Sequence, residues 1–356
     1  MSSTWGENVR ISVFGQSHGE AVGVVIDGLP AGEPIDMEKL QRFLDRRAPG
    51  RSMLSTPRTE CDTPKFLSGL VNDVTCGAPL CAMIENCNTR PSDYEALRDV
   101  PRPGHADYTA QLKYDGYQDA AGGGHFSGRL TAPLCVAGGI ALQLLERRGI
   151  RIAAHIASIG SVDDTPFDPM TAAATPEGEL PVLDRDKGEK MREQILAAAA
   201  EGDSIGGTVE CQVSGLAAGY GGPLFGGLEG KLAAALFAIP AVKGVEFGEG
   251  FHAAALRGSE NNDPYTVIDG AVAPAANHAG GILGGISTGL PILLKAAFKP
   301  TPSIAKAQQS ASFSKRCTEE LRIHGRHDPC LVPRAVPVVE AVTAMVILDI
   351  VLGDKR

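Results

Sequence analysis

Four short loops bounded by glycine or proline carry the side chains best suited to chemistry. Gly15-Gln16-Ser17-His18-Gly19 places a histidine between glycines, and Arg102-Pro103-Gly104-His105-Ala106-Asp107 projects a cation, an imidazole and a carboxylate from six consecutive residues. Asp107 is placed to orient or charge-stabilise His105, the arrangement of a histidine that moves a proton. Gly122-Gly123-Gly124-His125-Phe126-Ser127-Gly128-Arg129 lets a ligand approach the main chain and then opens a helix. The free N–H groups and dipole of such a helix start favour a phosphate, and Arg129 adds a fixed fork for an oxyanion. Gly325-Arg326-His327-Asp328-Pro329-Cys330 repeats the mix of cation, imidazole and carboxylate. Three of the loops also have a plainer reading: His18 solvated, His105 packed while Asp107 caps the next element, and the glycine run a tight turn before a core helix. The Gly-Lys-Ser/Thr ending of a P-loop is missing.

Further cations lie in Asp45-Arg46-Arg47-Ala48-Pro49-Gly50-Arg51, at a helix end where they also suit the dipole, and at Arg58. Asn277-His278-Ala279-Gly280-Gly281-Ile282-Leu283-Gly284-Gly285 is a second glycine-rich stretch, fit for a flat ring, a phosphate or a run of turns. Lys299-Pro300-Thr301-Pro302-Ser303 adds a cation and hydroxyls.

These loops need a scaffold, and composition bounds it. The chain has 356 residues with 43% apolar content, enough for a large core, and its 43 glycines and 24 prolines predict many turns. A net charge of −9 argues against a general nucleic-acid or membrane-surface role, so an anionic ligand needs a locally basic pocket. The eight cysteines form no C-x-x-C pair, which predicts buried free thiols in a reducing cytoplasm and no metal site. Glu340 and Asp349 interrupt the most apolar segment, so no bilayer span is expected.

In chain order, strands are predicted at Ile11–Phe14, Val22–Ile26, Phe66–Val71, Ala82–Glu85, Arg151–Ile156 and Ile292–Lys295. Thr208–Val213 alternates like a half-exposed strand. Asp36 is placed to cap a helix bearing Leu40, Phe43 and Leu44. Ser127 or Thr131 suits the cap of the helix through Leu145, and further helices are expected at Met191–Ala200 and Leu228–Phe237. A last buried helix is expected to open near Pro337 and run to Leu352. Residues 163–186, rich in Pro, Asp, Thr and Ala, predict a polar, flexible insertion in a single domain spanning 1–356.

The order and content of these motifs, from about Gly6 to about Asp349, resemble the chorismate synthase family. The resemblance implies an α+β fold, a β-α-β sandwich with helices held between antiparallel sheets, assembled as a homotetramer. It implies conversion of 5-enolpyruvylshikimate 3-phosphate to chorismate and phosphate by a 1,4-elimination that requires reduced FMN without net redox change. NADPH use is left open. His18 resembles the histidine that assists the departing phosphate, His105 the one that protonates the reduced flavin, and Asp328 the carboxylate near its N5. Arg47, Arg129 and Arg326 resemble anion-binding arginines, with Ser127 beside them. His125, Phe126, Ser127, Pro240, Ala241, Gly284, Lys299, Pro300, Thr301, Pro302, Ser303 and Arg326 match positions that line the FMN. Gln16, the run His125-Phe126-Ser127-Gly128, Met53 and Pro240 depart from the family pattern; Arg51 is near enough to substitute for the arginine common at Met53. Two rival readings are a flavin oxidoreductase that leaves a lasting hydride on its substrate and a non-catalytic flavin- or phosphate-binding protein. The pocket arginines are expected to add little to folding.

Overall fold

A computed structural model describes residues 3–50, 54, 62–87, 98–268, 270–323 and 328–354. In chain order its elements are β1 (Thr4–Trp5), β2 (Arg10–Gly15), β3 (Ala21–Asp27), α1 (Met37–Arg47), β4 (Lys65–Ser68), β5 (Leu70–Val71), β6 (Val74–Thr75), β7 (Leu80–Glu85), α2 (Asp107–Lys113) and α3 (Thr131–Glu146). Then follow β8 (Arg151–Ile159), β9 (Val162–Asp163), α4 (Arg185–Ala200), β10 (Gly207–Ser214), α5 (Leu228–Leu236), β11 (Val242–Phe247), α6 (Gly258–Asn261), β12 (Tyr265–Ile268) and β13 (Ala271–Pro274). The chain closes with β14 (Ile282–Leu283), β15 (Ile286–Ser287), β16 (Ile292–Phe298), β17 (Gln308–Ala311), β18 (Thr318–Leu321) and α7 (Val332–Gly353).

Two antiparallel sheets, β1-β2-β3-β7-β4 and β11-β16-β10-β8-β9, enclose the helices. α3 packs on β3 and β7, α7 packs on β8 and β10, and the two helices pack on each other with α1 and α5 beside them. This is the expected β-α-β sandwich. Adjacent glycines in α3 explain how three helices fit between the sheets. A Cβ on Gly138 would lie 2.2 Å from the Ala341 Cα of α7, and one on Gly139 would lie 2.6 Å from the Leu40 side chain of α1. Only glycine allows both approaches.

Asp36 caps α1 as expected, accepting from the Lys39 N–H at 2.8 Å. Ser127 accepts from the Arg129 N–H and so caps the 3₁₀ turn that feeds α3, while α3 itself has no side-chain cap. Two helices begin earlier than expected. α4 opens at Arg185 because Asp184 accepts from the N–H groups of Asp186 and Lys187. α7 opens at Val332 and takes Pro337 inside it, where the bond it interrupts lies only about one turn from the helix start. With that extension α7, like the segment Gly128–Glu146, is long and apolar enough to cross a bilayer by length and composition, contrary to expectation. Both are core helices here: 89% and 83% of their apolar windows are buried. The carboxylates on α7 are satisfied internally. Asp349 accepts from the N–H groups of Glu7, Asn8 and Val9, and Glu340 pairs with Arg46 and accepts from Thr175.

The largest departure concerns β10, which is buried on both faces rather than half-exposed. Its polar residues serve as hydrogen-bond partners for residues 163–186, which lie over the sheet. Glu210 accepts from the Phe167 N–H at 2.8 Å and Gln212 from the Ala173 N–H at 2.7 Å. His155 sits fully buried between Asp164 and Glu210, and Asp164 also accepts from the N–H groups of Leu183 and Asp184. A polar residue in an alternating pattern signals solvent only when no second segment covers the face. Cys135, Cys211 and Cys330 are buried free thiols as expected, but Cys76, Cys87 and Cys317 are exposed. Burial pushes the Cys135 and Cys330 thiols up to about 12.

Candidate functional site

A cleft of about 580 Å³ opens where the start of α3, the end of α1, the start of α7 and the loops after α5 and β16 converge. That volume suits a cofactor together with a small substrate. Arg47, Arg102, Arg129, Lys243, Lys299 and Arg334 line it with His105 and His125, and Asp328 is the one acid among the described residues that do so. An acidic chain has gathered its cations in one concave place.

Three carboxylates hold this charge in position. Asp107 accepts from Arg102 through Nε (2.7 Å) and Nη2 (2.8 Å), and lies 2.5 Å from His105 Nδ1. Burial alone would raise the Asp107 carboxyl, but the bonds from Arg102 and His105 hold it far below the usual carboxylate range. Nδ1 therefore carries a proton toward Asp107, and Nε2 lies against the glycine run, where a Cβ on Gly123 would be 3.1 Å away. Asp62, fully buried, accepts from Arg47 Nε at 2.6 Å and from Arg129 Nη1. Burial again opposes its ionisation, and the charges of Arg47 and Arg129 overcome it. Asp328 accepts from Arg334 Nη1 at 2.5 Å, while Arg334 Nε donates to the Arg47 carbonyl at 2.9 Å. Lys299 Nζ donates to the Gly104 carbonyl; burial and the neighbouring Lys243 charge lower its pKa.

Two loops are fastened to this frame. Ser17 N–H donates to Gly124 O, and the His18 ring stands directly behind Gly122, where a Cβ would come within 2.1 Å of it. Asn86 donates to Gln16 O and Gly19 O and accepts from Arg129 Nε at 3.0 Å, so the His18 loop and Arg129 share one anchor. His125 bonds Gly15 O and Ser3 Oγ through its two ring nitrogens. The hydrogen bond from Val242 N to Ile239 O closes a turn with Pro240 and Ala241 at its centre. Ala241 takes φ +76°, as the third residue of a type II turn does, and proline favours the position before it. The Pro240 departure is thus compatible with the local backbone.

Of the residues singled out from the sequence, Arg47, His105, His125, Phe126, Ser127, Arg129, Pro240, Ala241, Lys299, Thr301, Pro302, Ser303 and Asp328 line the cleft together. His18 adjoins its wall through Gly122. Pro300 is exposed and does not line the cleft. Gly284 lies in the exposed turn between β14 and β15, where it and Gly285 have φ +61° and +83°. A two-residue hairpin of that kind favours glycine for its own geometry, with or without a ligand against it. Arg326, like Arg51, Met53 and Arg58, lies outside the described residues. Sequence reasoning missed Asp62, Asn86, Lys243 and Arg334. Only Arg334 carried a signal, because a cation in the first turn of a helix opposes the dipole unless a carboxylate meets it.

Known proteins resemble this chain over nearly its whole length. The family model described as Chorismate synthase matches residues 9–352. Chorismate synthase of Lancefieldella parvula is 48% identical, over 98% of this chain and 96% of its own length. That of Thermococcus gammatolerans is 47% identical, over 98% of each chain. A crystal structure of a chorismate synthase superposes with a TM-score of 0.74 at 26% identity, over 98% of this chain and 93% of the other.

Proposed function

The chain belongs to the chorismate synthase family, and from that premise we propose that its cleft converts 5-enolpyruvylshikimate 3-phosphate to chorismate and phosphate by 1,4-elimination, with reduced FMN. The observation that carries the reading is the cation cluster. The substrate has a phosphate and two carboxylates, FMN adds a phosphate, and four such groups need the charge that Arg47, Arg102, Arg129, Lys243, Lys299 and Arg334 supply.

The residues present fit a flavin. Thr301 Oγ1 is buried in the cleft wall with no hydrogen-bond partner among the described residues, and such a hydroxyl is suited to a ligand polar atom. Gly104, Gly122 and Gly128 leave the lining without side chains where a flat ring system approaches. His125, Phe126, Ser127, Pro240, Ala241, Lys299, Thr301, Pro302 and Ser303 would hold it. When bound, reduced FMN supplies electron density transiently to the substrate and takes part in removing the C6 hydrogen. The chain's own residues do the rest. Arg47 and Arg129 bind and orient the anionic substrate, His18 gives a proton to the departing phosphate, and His105 holds a proton at Nε2 for the flavin. Arg334 holds the Asp328 carboxylate in place beside them. Phosphate release that depends on reduced FMN tests the reading, and analysis of the product's oxidation state separates it from a flavin oxidoreductase.

The proposal extends to one domain over 1–356 acting in the cytoplasm, and to a homotetramer. Exposed apolar side chains support assembly: Leu224 and Phe225 on one loop, Phe251 on another, and Tyr265, Val267 and Val272 on the β12–β13 hairpin. Light scattering should report about four times the mass of one chain. A monomer at micromolar concentration would contradict the assembly.

A further inference from the structure

We propose that Asp62 is a positioning residue for substrate binding: its buried carboxylate fixes the two arginines that receive the anionic substrate. The proposal rests on reading the cleft as an anion site. Asp62 has no exposed surface, and Arg47 and Arg129, from the end of α1 and the turn before α3, reach it from two sides. Arg47 turns both Nε and Nη2 to Asp62, and its Nη1 has Thr131 Oγ1 at 3.4 Å, so among the described residues the carboxylate is the main group that aims its fork. Arg129 places Nη1 on the same carboxylate, Nε on Asn86 and Nη2 on the Glu85 carbonyl at 3.4 Å. One negative charge between two guanidinium groups leaves the pair with a net positive charge, directed at the cleft that both side chains line. It also removes the repulsion that would drive two buried arginines apart. Asp62 does not line the cleft, so it acts through the arginines.

The test uses the full-length protein without flavin and inorganic phosphate as the probe, followed by phosphorus NMR or calorimetry. Asp62→Asn keeps the shape and removes the charge; it should raise the phosphate Kd about tenfold or more, the loss expected when charge-assisted donors are misaimed. Glu340→Gln is the control. Glu340 is equally buried and pairs with Arg46, next to Arg47, but neither Glu340 nor Arg46 lines the cleft. This variant should lower Tm while changing the phosphate Kd less than about twofold. An unchanged Kd in Asp62→Asn, or an equal loss in Glu340→Gln, overturns the proposal. Should Asp62→Asn not fold, Asp62→Asn/Arg129→Met removes one charge of each sign and carries the question through Arg47. It should bind phosphate at least about threefold more weakly than Arg129→Met alone; equal affinity overturns the proposal. Absence of phosphate binding by the unmodified protein would instead overturn the anion-site reading itself, and this proposal with it.

Discussion

His105→Ala is expected to lower turnover about 10²–10⁴-fold, the usual contribution of a general acid or base. The geometry makes the loss specific. Arg102 already satisfies Asp107 through two nitrogens, so removing the imidazole leaves that ion pair and the Arg102-Pro103-Gly104 turn in place. Affinity for substrate and FMN should therefore change far less than turnover. His18→Ala should lose a similar factor, because the bonds from Asn86 and to Gly124 still hold the His18 loop when the ring and its contact with Ser17 Oγ are removed. The two differ in what they touch. Loss of His105 should shift the pKa of bound reduced flavin, read from absorbance against pH, and loss of His18 should not. Both variants retaining near-normal turnover with saturating reduced FMN would contradict the proton-transfer roles. Equal flavin shifts would contradict only their division.

Arg129→Ala should cost both affinity and stability. The sequence presents Arg129 as a pocket-surface cation whose loss leaves folding nearly intact; its side chain is instead buried against a fully buried carboxylate. Removing one partner of such a pair typically costs about 3–5 kcal/mol. Arg47 remains beside Asp62, which favours the lower end of that range. The pH dependence follows from the depressed Asp62 carboxyl. In the unmodified protein its contribution is present above the ordinary carboxylate range, near about pH 4, and is lost as pH falls through its lower folded value. Without Arg129 the folded pKa rises toward the unfolded value, so the loss on acidification becomes smaller and is complete at higher pH. Denaturant midpoints measured from neutral to acid pH read both effects, and phosphate titration should show about a tenfold or greater loss of affinity. A midpoint and an affinity both equal to the unmodified protein's would contradict the role of this pair.

The sequence made local features legible and hid those that depend on distant partners. Asp36 as a cap, the buried face of α1 and the loops bearing His105 and Arg129 all announce themselves within a few residues. The polar alternation of β10 misleads because the segment that covers it comes from some forty residues earlier, Phe167 bonding Glu210. Asp62 is invisible in the same way: its partners lie 15 and 67 residues away, and no spacing rule connects them. The glycines at 284 and 285 stay ambiguous in sequence for another reason, since a hairpin turn and a ligand surface ask for the same residue type. Pro337 predicts a helix start, yet the helix gains enough from burial along its length to absorb it.

We propose that this cleft eliminates phosphate from 5-enolpyruvylshikimate 3-phosphate with a reduced flavin that is not consumed. Phosphate release from that substrate under anaerobic conditions, with and without dithionite-reduced FMN, tests it most directly. Many turnovers of phosphate per enzyme are expected with reduced FMN, none with oxidised FMN, and a product at the same oxidation state as the substrate. Release that is independent of reduced FMN, or a single turnover that leaves the flavin oxidised and the product reduced, would contradict it.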